Sequence, residues 1–137
     1  MDSRPSPEDA LHVEGPELLS VLFKSAMPAP GDSLGASLLP DSGADKALSD
    51  NLDILNLYPA AKVRLVGYTD DQECSGPACD ALSLRRARLV RDWLVAHGVP
   101  ETRFSATDAG GLYLAISYKP TESERNLSRR TDFWLTK

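Results

Sequence analysis

Two stretches of the chain carry apolar residues at the spacing of a helix. The first covers residues 44–57, and one face of it collects the apolar side chains Ala44, Leu48, Leu52 and Leu55. The second runs from Asp80, a candidate N-cap, to His97, and Gly98 and Pro100 stop it there. The pattern therefore predicts two amphipathic helices.

Shorter stretches have the composition and alternation of strands, namely residues 18–23, 62–68, 102–107 and 132–136. Residues 25–43 are rich in proline and glycine and form a long loop, which in a small domain is either functional or mobile. Residues 108–128 show no period and are expected to be irregular. Strands that alternate with helices predict an α/β fold in which the helices pack on one sheet.

The length of 137 residues suits one ordinary domain, which we place at residues 18–137. Residues 1–17 contain three prolines and no period, so we interpret them as a flexible tail or linker. No apolar run approaches the ~20 residues that cross a bilayer, and the polar start Met1–Pro5 is not a secretory signal. If the protein works outside the cytoplasm, the chain is expected to be a mature or excised piece.

Charge and motifs argue against several classes of function. The net charge is −5, and no stripe of Lys and Arg is interleaved with aromatic residues, so nucleic-acid binding is not expected. No serine lies in a Gly-x-Ser-x-Gly elbow, and neither His12 nor His97 has an evident catalytic partner. We therefore expect a protein that is not an enzyme and that needs no cofactor.

The two cysteines, Cys74 and Cys79, flank a Gly76-Pro77 turn that could bring their sulfurs together. A disulfide would indicate an oxidising compartment such as the periplasm. Free thiols remain an alternative. A metal site or redox catalysis is the least favoured alternative, because neither histidine has the spacing of a metal ligand and the two cysteines do not form a Cys-x-x-Cys motif.

One arginine lies on the apolar face of the second helix. On a helical wheel with 100° per residue, Arg86 falls at about 40° from Leu82, on the same side as Leu89 and Trp93. A guanidinium in that position carries a large desolvation cost unless it reaches the surface or meets a carboxylate. The nearest candidate is Asp70, which ends the strand before this helix, where α/β folds place their ligand sites.

Two interpretations of this pair stay open at the level of the pattern. Asp70 and Arg86 could form a salt bridge that only anchors the loop between them. They could instead stay partly free, in which case Arg86 would bind a carboxylate with two hydrogen bonds and Asp70 would accept from an ammonium group. Such a pair fits a zwitterion, which is the main-chain end of an amino acid.

Several segments together resemble the OmpA-like domains. Gly67-Tyr68-Thr69-Asp70 followed by residues 82–87 is similar to the family signature G-H-T-D … L-S-x-x-R-A. Residues 98–100 and 103–105 continue the likeness, and Arg129-Arg130 resembles the start of the family's N-R-R-V-E element. The likeness covers about residues 60–137. The predicted strand and helix within residues 18–57 fit the order of elements in the family loosely.

The resemblance implies a βαβαβ two-layer sandwich with helices on a small mixed sheet. It also implies non-catalytic binding of peptidoglycan, in which Asp70 and Arg86 hold the amino and carboxyl groups of diaminopimelate in the stem peptide. Thr69 and an arginine matching Arg129 or Arg130 would complete the pocket. Such a domain would tether a larger envelope protein to the cell wall in the periplasm, with any membrane attachment supplied by a region outside this chain.

The sequence departs from the family pattern around this pocket. Tyr68 replaces the usual histidine, Cys79 replaces an asparagine, and Ser128 replaces the asparagine before the arginine pair. These departures favour, as a second hypothesis, an OmpA-like scaffold for protein–protein contacts in an envelope complex whose wall pocket is degraded. In that case an Asp70–Arg86 bond should close the pocket.

Overall fold

A computed structural model describes residues 15–112 and 121–136 of the chain. Four strands form one sheet in the order β1-β4-β2-β3, with β1 at Val21–Leu22, β2 at Lys62–Thr69, β3 at Phe104–Leu112 and β4 at Arg130–Thr136. The helices are α1 at Leu34–Ser37, α2 at Ala44–Leu57, α3 at Pro77–Ala96 and α4 at Glu122–Ser128, and a 3-10 turn covers Glu101–Arg103.

The sheet is mixed, and the predicted fold class is confirmed. Strand β2 pairs in parallel with β3 and antiparallel with β4, and β4 pairs antiparallel with β1. Side chains of β2 alternate between the two faces, so that Val63 and Leu65 face the helices and lie in the core with Val90 and Leu94 of α3. Gly67 continues this face and lies directly under α3.

Helix α2 has the predicted bounds, and it explains why the first strand is shorter than predicted. Asn51 of α2 is buried, its Oδ1 accepts from the N–H of Leu19 at 2.9 Å, and its Nδ2 donates to the carbonyl of Leu19 at 2.8 Å. These backbone groups are therefore satisfied by a side chain. The predicted strand 18–23 is consequently reduced to Val21–Leu22, with a single bridge from Phe23 to Leu38.

The start of α3 was also predicted incorrectly. The helix begins at Pro77 after Gly76, three residues before the predicted cap Asp80. Proline suits this first position because its fixed φ matches the helix and its missing N–H would have no helical partner. Asp80 lies instead in the first turn, while the predicted stop is confirmed, with His97 as C-cap and Gly98 at φ 99°.

The segment predicted to be irregular contains regular structure on both sides of its middle. Strand β3 continues to Leu112 because the backbone of residues 108–112 pairs with the end of β2. Thr121 and Glu124 form a capping box that starts α4, a signal the sequence contains and the prediction overlooked. The middle of the segment and most of the predicted tail 1–17 lie outside the described residues.

Strand β4 begins at Arg130, two residues before the predicted start, because Arg130 pairs with both Tyr68 and Leu22.

The loop at residues 25–43 folds back over the end of β2 and contains the short helix α1. Its first residues contact α3, where Arg86 donates to the carbonyl of Met27 and Arg85 donates to the carbonyl of Pro28. None of the helices within the described residues is long and apolar enough to cross a bilayer.

Candidate functional site

Asp70 follows the last residue of β2 and is almost completely buried, with 2% of its surface exposed. Its Oδ1 accepts from the backbone N–H groups of Gln72 and Glu73, both at 2.8 Å. Its Oδ2 accepts from Nη1 of Arg129 at 2.5 Å. The first carboxylate oxygen therefore shapes the turn after β2, and the second forms an ion pair with the start of the last strand.

Arg86 is the largest fully buried side chain among the described residues. Its ion-pair partner is Glu73, whose Oε1 and Oε2 lie 2.6 and 2.7 Å from Nη2 and Nη1 of Arg86. Three further N–H groups of Arg86 donate to main-chain carbonyls of Lys24, Met27 and Tyr68 at 2.9–3.1 Å. All five donors of the guanidinium are therefore used, which offsets the cost of burying it.

Of the two interpretations of this pair, the one with a bridge between Asp70 and Arg86 is wrong, since each of them pairs with a different residue. The predicted need of Arg86 for a carboxylate is confirmed, but the carboxylate belongs to Glu73. The two ion pairs still lie side by side, because Oε2 of Glu73 accepts from both Arg86 and the backbone N–H of Asp70. Asp70 and Arg86 thus both contact Glu73 at the carboxyl end of β2, and Arg129 joins them through its ion pair with Asp70.

The other predicted site residues occupy different places. Thr69 is buried on the α3 side of the sheet and donates through its hydroxyl to the carbonyl of Gly111 at 3.4 Å. Arg129 also donates to Glu122 at 3.1 Å and to Asn126 of α4. Arg130 lies on the opposite face of the sheet.

On that face the guanidinium of Arg130 is 5.3 Å from the centre of the Tyr68 ring, within the range of a cation–π contact. Alternation along the chain predicts that one arginine of the pair points inward and one outward, and this is confirmed, because Arg129 is buried and Arg130 is half-buried. The structure therefore brings Arg129, but not Arg130, to the residues around Asp70.

The predicted disulfide is confirmed. Cys74 is bonded to Cys79 in the first turn of α3, with their Cα atoms 5.2 Å apart. The bond closes a short ring immediately after Glu73, which ties the exposed loop to the helix that carries Arg86. Within the described residues, no group of three or more His, Cys, Asp and Glu side chains could hold a metal ion.

Sequence reasoning missed Glu73 and the main-chain carbonyls of Lys24 and Met27. Glu73 is one of two acidic residues between Asp70 and Cys74, so the sequence did signal that a carboxylate other than Asp70 could reach the helix. Nothing in the sequence indicated that carbonyls some 60 residues before Arg86 would contact it.

The environment of Asp70 predicts how stability depends on pH. Burial alone raises the pKa of Asp70, but the N–H groups of Gln72 and Glu73 and the Arg129 guanidinium outweigh burial, so the pKa lies below its ordinary value. The ionised carboxylate therefore stabilises the fold at pH values above its ordinary pKa, and this contribution is lost as pH falls through the lowered pKa.

We expect Asp70→Asn to lower the free energy of unfolding at pH 7 and to weaken its decline towards acid pH. Urea unfolding at a series of pH values from 7 to 2 measures both effects. Asp53→Asn, at an exposed position of α2, is the control and should keep the wild-type decline. An Asp70→Asn protein with the same acid decline as the wild type would contradict the assignment.

Known proteins with similar sequences and structures identify the family to which this fold belongs. The OmpA family matches residues 35–128. The peptidoglycan-binding protein ArfA of Mycobacterium tuberculosis is 34% identical over 99 residues, which are 72% of this chain. The ArfA protein of Mycobacterium bovis matches to the same extent. The chain spans only 29% of the length of these relatives.

Two solved structures show the same fold at lower identity. The peptidoglycan-associated lipoprotein from Burkholderia pseudomallei has a TM-score of 0.64 at 22% identity, covering 85% of this chain and 89% of its own. The periplasmic domain of Helicobacter pylori MotB has a TM-score of 0.63 at 19% identity, covering 85% and 68%. Because the match to the family extends over most of the described residues, this chain belongs to the OmpA family.

Proposed function

We propose that this domain binds peptidoglycan without catalysis and recognises the diaminopimelate of the stem peptide at the carboxyl end of β2. The observation that carries the proposal is that two ion pairs, Arg86 with Glu73 and Arg129 with Asp70, lie side by side there, joined by the backbone N–H of Asp70 that donates to Glu73. The arginines suit the carboxylate of a zwitterion, and Asp70 suits its ammonium group. The name of the ArfA relatives, peptidoglycan-binding protein, supports peptidoglycan as the ligand.

This binding would anchor a larger protein to the cell wall in the periplasm. The short disulfide is consistent with an oxidising compartment. Thr69 would contribute by holding the end of β2 against β3, and Arg130 would contribute from the opposite face through its contact with Tyr68. Any attachment to the outer or inner membrane would come from parts of the protein beyond this domain.

Co-sedimentation with purified sacculi tests the proposal. Wild-type protein should sediment with sacculi that contain diaminopimelate, and clearly less with sacculi that contain lysine, because lysine lacks the second carboxylate. Asp70→Asn and Arg86→Lys should each reduce the sedimented fraction, since Asn cannot pair with an ammonium and Lys cannot form two parallel hydrogen bonds to a carboxylate.

Asp108→Asn is the matched control, because Asp108 is half-exposed and pairs with Arg64 at 2.5 Å on β2. It should sediment like the wild type. The proposal fails if wild-type protein stays in the supernatant. It also fails if Asp70→Asn and Arg86→Lys are folded by circular dichroism and sediment as well as the wild type.

A second candidate function is a scaffold for protein–protein contacts in an envelope complex. The observation that favours it is that every donor of Arg86 and both oxygens of Asp70 are already bonded within the chain. Under this hypothesis neither the wild type nor any variant sediments with sacculi, including the variants in which Glu73 is replaced.

A further inference from the structure

The carboxylate of Glu73 occupies the position in which Arg86 would bind a carboxylate of a ligand. The guanidinium is fixed by three main-chain carbonyls, of Lys24, Met27 and Tyr68, independently of Glu73. The two remaining N–H groups, one on Nη1 and one on Nη2, point together at the Glu73 carboxylate. We call these two donors the Arg86 fork.

Two backbone groups complete the surroundings of this carboxylate. The N–H of Ala26 donates to its Oε1 at 2.7 Å, and the N–H of Asp70 donates to its Oε2 at 2.9 Å. The site therefore presents four donors to one carboxylate, two from the Arg86 fork and two from the backbone. Any carboxylate of similar shape would satisfy the same four donors, because a fork of this kind matches the two oxygens and not the rest of the side chain.

Glu73 enters this site from the solvent side. Its side chain has no exposed surface, yet Asp71, Gln72 and the segment 75–78 around it in the loop are exposed. Rotation of the Glu73 side chain towards solvent would thus expose the Arg86 fork without unfolding an element. The Cys74–Cys79 disulfide holds the loop beside α3 during such a rotation.

We propose that Glu73 is an internal occupant of the ligand-carboxylate site, and that a ligand carboxylate binds the Arg86 fork by displacing it. The peptidoglycan part of this inference rests on the function proposed above. Competition with an internal group reduces the apparent affinity by the fraction of molecules whose site is open. Glu73 therefore sets how tightly the domain binds a zwitterionic amino-acid end.

The first experiment tests occupancy without peptidoglycan. In Glu73→Ala the site loses its carboxylate, and sodium acetate is a small carboxylate that can replace it. The Tm of Glu73→Ala should rise with acetate concentration relative to sodium chloride of the same ionic strength, because a ligand that binds only the folded state stabilises it. Wild-type protein and the control Asp108→Asn should show no acetate-specific rise.

The second experiment measures affinity for a stem-peptide fragment, the tripeptide of L-Ala, γ-D-Glu and meso-diaminopimelate, by isothermal titration calorimetry. Glu73→Ala should bind it at least about tenfold more tightly than the wild type, since ligand no longer competes with an internal carboxylate. Glu73→Gln keeps the size of the side chain and removes its charge. It should also bind more tightly, and it serves as the test if Glu73→Ala does not fold.

The outcomes separate this inference from the proposed function. If the wild type binds sacculi, and Glu73→Ala and Glu73→Gln bind the tripeptide no more tightly than the wild type, occupancy by Glu73 is overturned and the proposed function stands. If acetate stabilises Glu73→Ala but no variant binds the tripeptide or sacculi, the carboxylate site stands and the peptidoglycan function is overturned. Absence of an acetate effect in a folded Glu73→Ala protein overturns the carboxylate site itself.

Discussion

Replacing Arg86 by Met is expected to lower the free energy of unfolding by about 3–5 kcal/mol, because it leaves a buried carboxylate without its charge partner. Both side chains of the Arg86–Glu73 pair are fully buried. The substitution also leaves three carbonyl groups without the donor that satisfies them. Urea unfolding followed by circular dichroism at pH 7 measures the loss.

The control for this prediction is Arg88→Met, two residues further along the same helix. Arg88 is exposed, so its substitution should change stability by less than about 0.5 kcal/mol. The double variant Glu73→Met/Arg86→Met should be more stable than Arg86→Met alone, because it removes the uncompensated charge together with its partner. Equal losses for Arg86→Met and Arg88→Met would show that the buried ion pair does not contribute as described.

Replacing Gly67 by Ala is expected to destabilise the domain by about 3 kcal/mol, the upper end of the usual cost of overpacking. A Cβ at Gly67 would lie 1.8 Å from the carbonyl oxygen of Ser83 in α3. That oxygen belongs to the helix backbone, so relief requires the whole helix to move away from β2. Such a movement would also shift Arg86, one turn further along the same helix.

Gly35→Ala is the matched control for this second prediction. A Cβ at Gly35 meets no atom within 4 Å, and Gly35 lies within the short helix α1, where alanine is preferred to glycine. Its stability should therefore equal or slightly exceed that of the wild type. Thermal unfolding of the two alanine variants compares them directly, and similar Tm values would contradict the close packing of α3 on β2.

Gly67 also explains an error in the helical wheel. The wheel placed Leu89 and Trp93 on the apolar side of α3 together with Leu82, yet both are only partly buried. The helix is turned instead so that the small residues Ser83 and Ala87 face the sheet, and both are fully buried. Helix and strand backbones can approach closely only where both surfaces carry small side chains, and hydrophobicity alone does not indicate such a contact.

The sequence by itself determined features that depend on short stretches of chain. Periodicity and terminating residues located α2, the end of α3 and strand β2, because these elements are stabilised by local propensity and by one apolar face. The same periodicity showed that Arg86 lies among apolar residues and needs a carboxylate. The spacing of Cys74 and Cys79 across a turn indicated their disulfide.

Only the tertiary structure decided which carboxylate Arg86 would meet. Asp70 accepts two N–H groups of the turn that follows it, and this turn directs Glu73 inward to Arg86. Asp70 is then left to pair with Arg129, which reaches it because β4 lies antiparallel beside β2. Partner choice among nearby charges depends on the path of the main chain and on residues 59 positions away, and such contacts have no signature in a local sequence pattern.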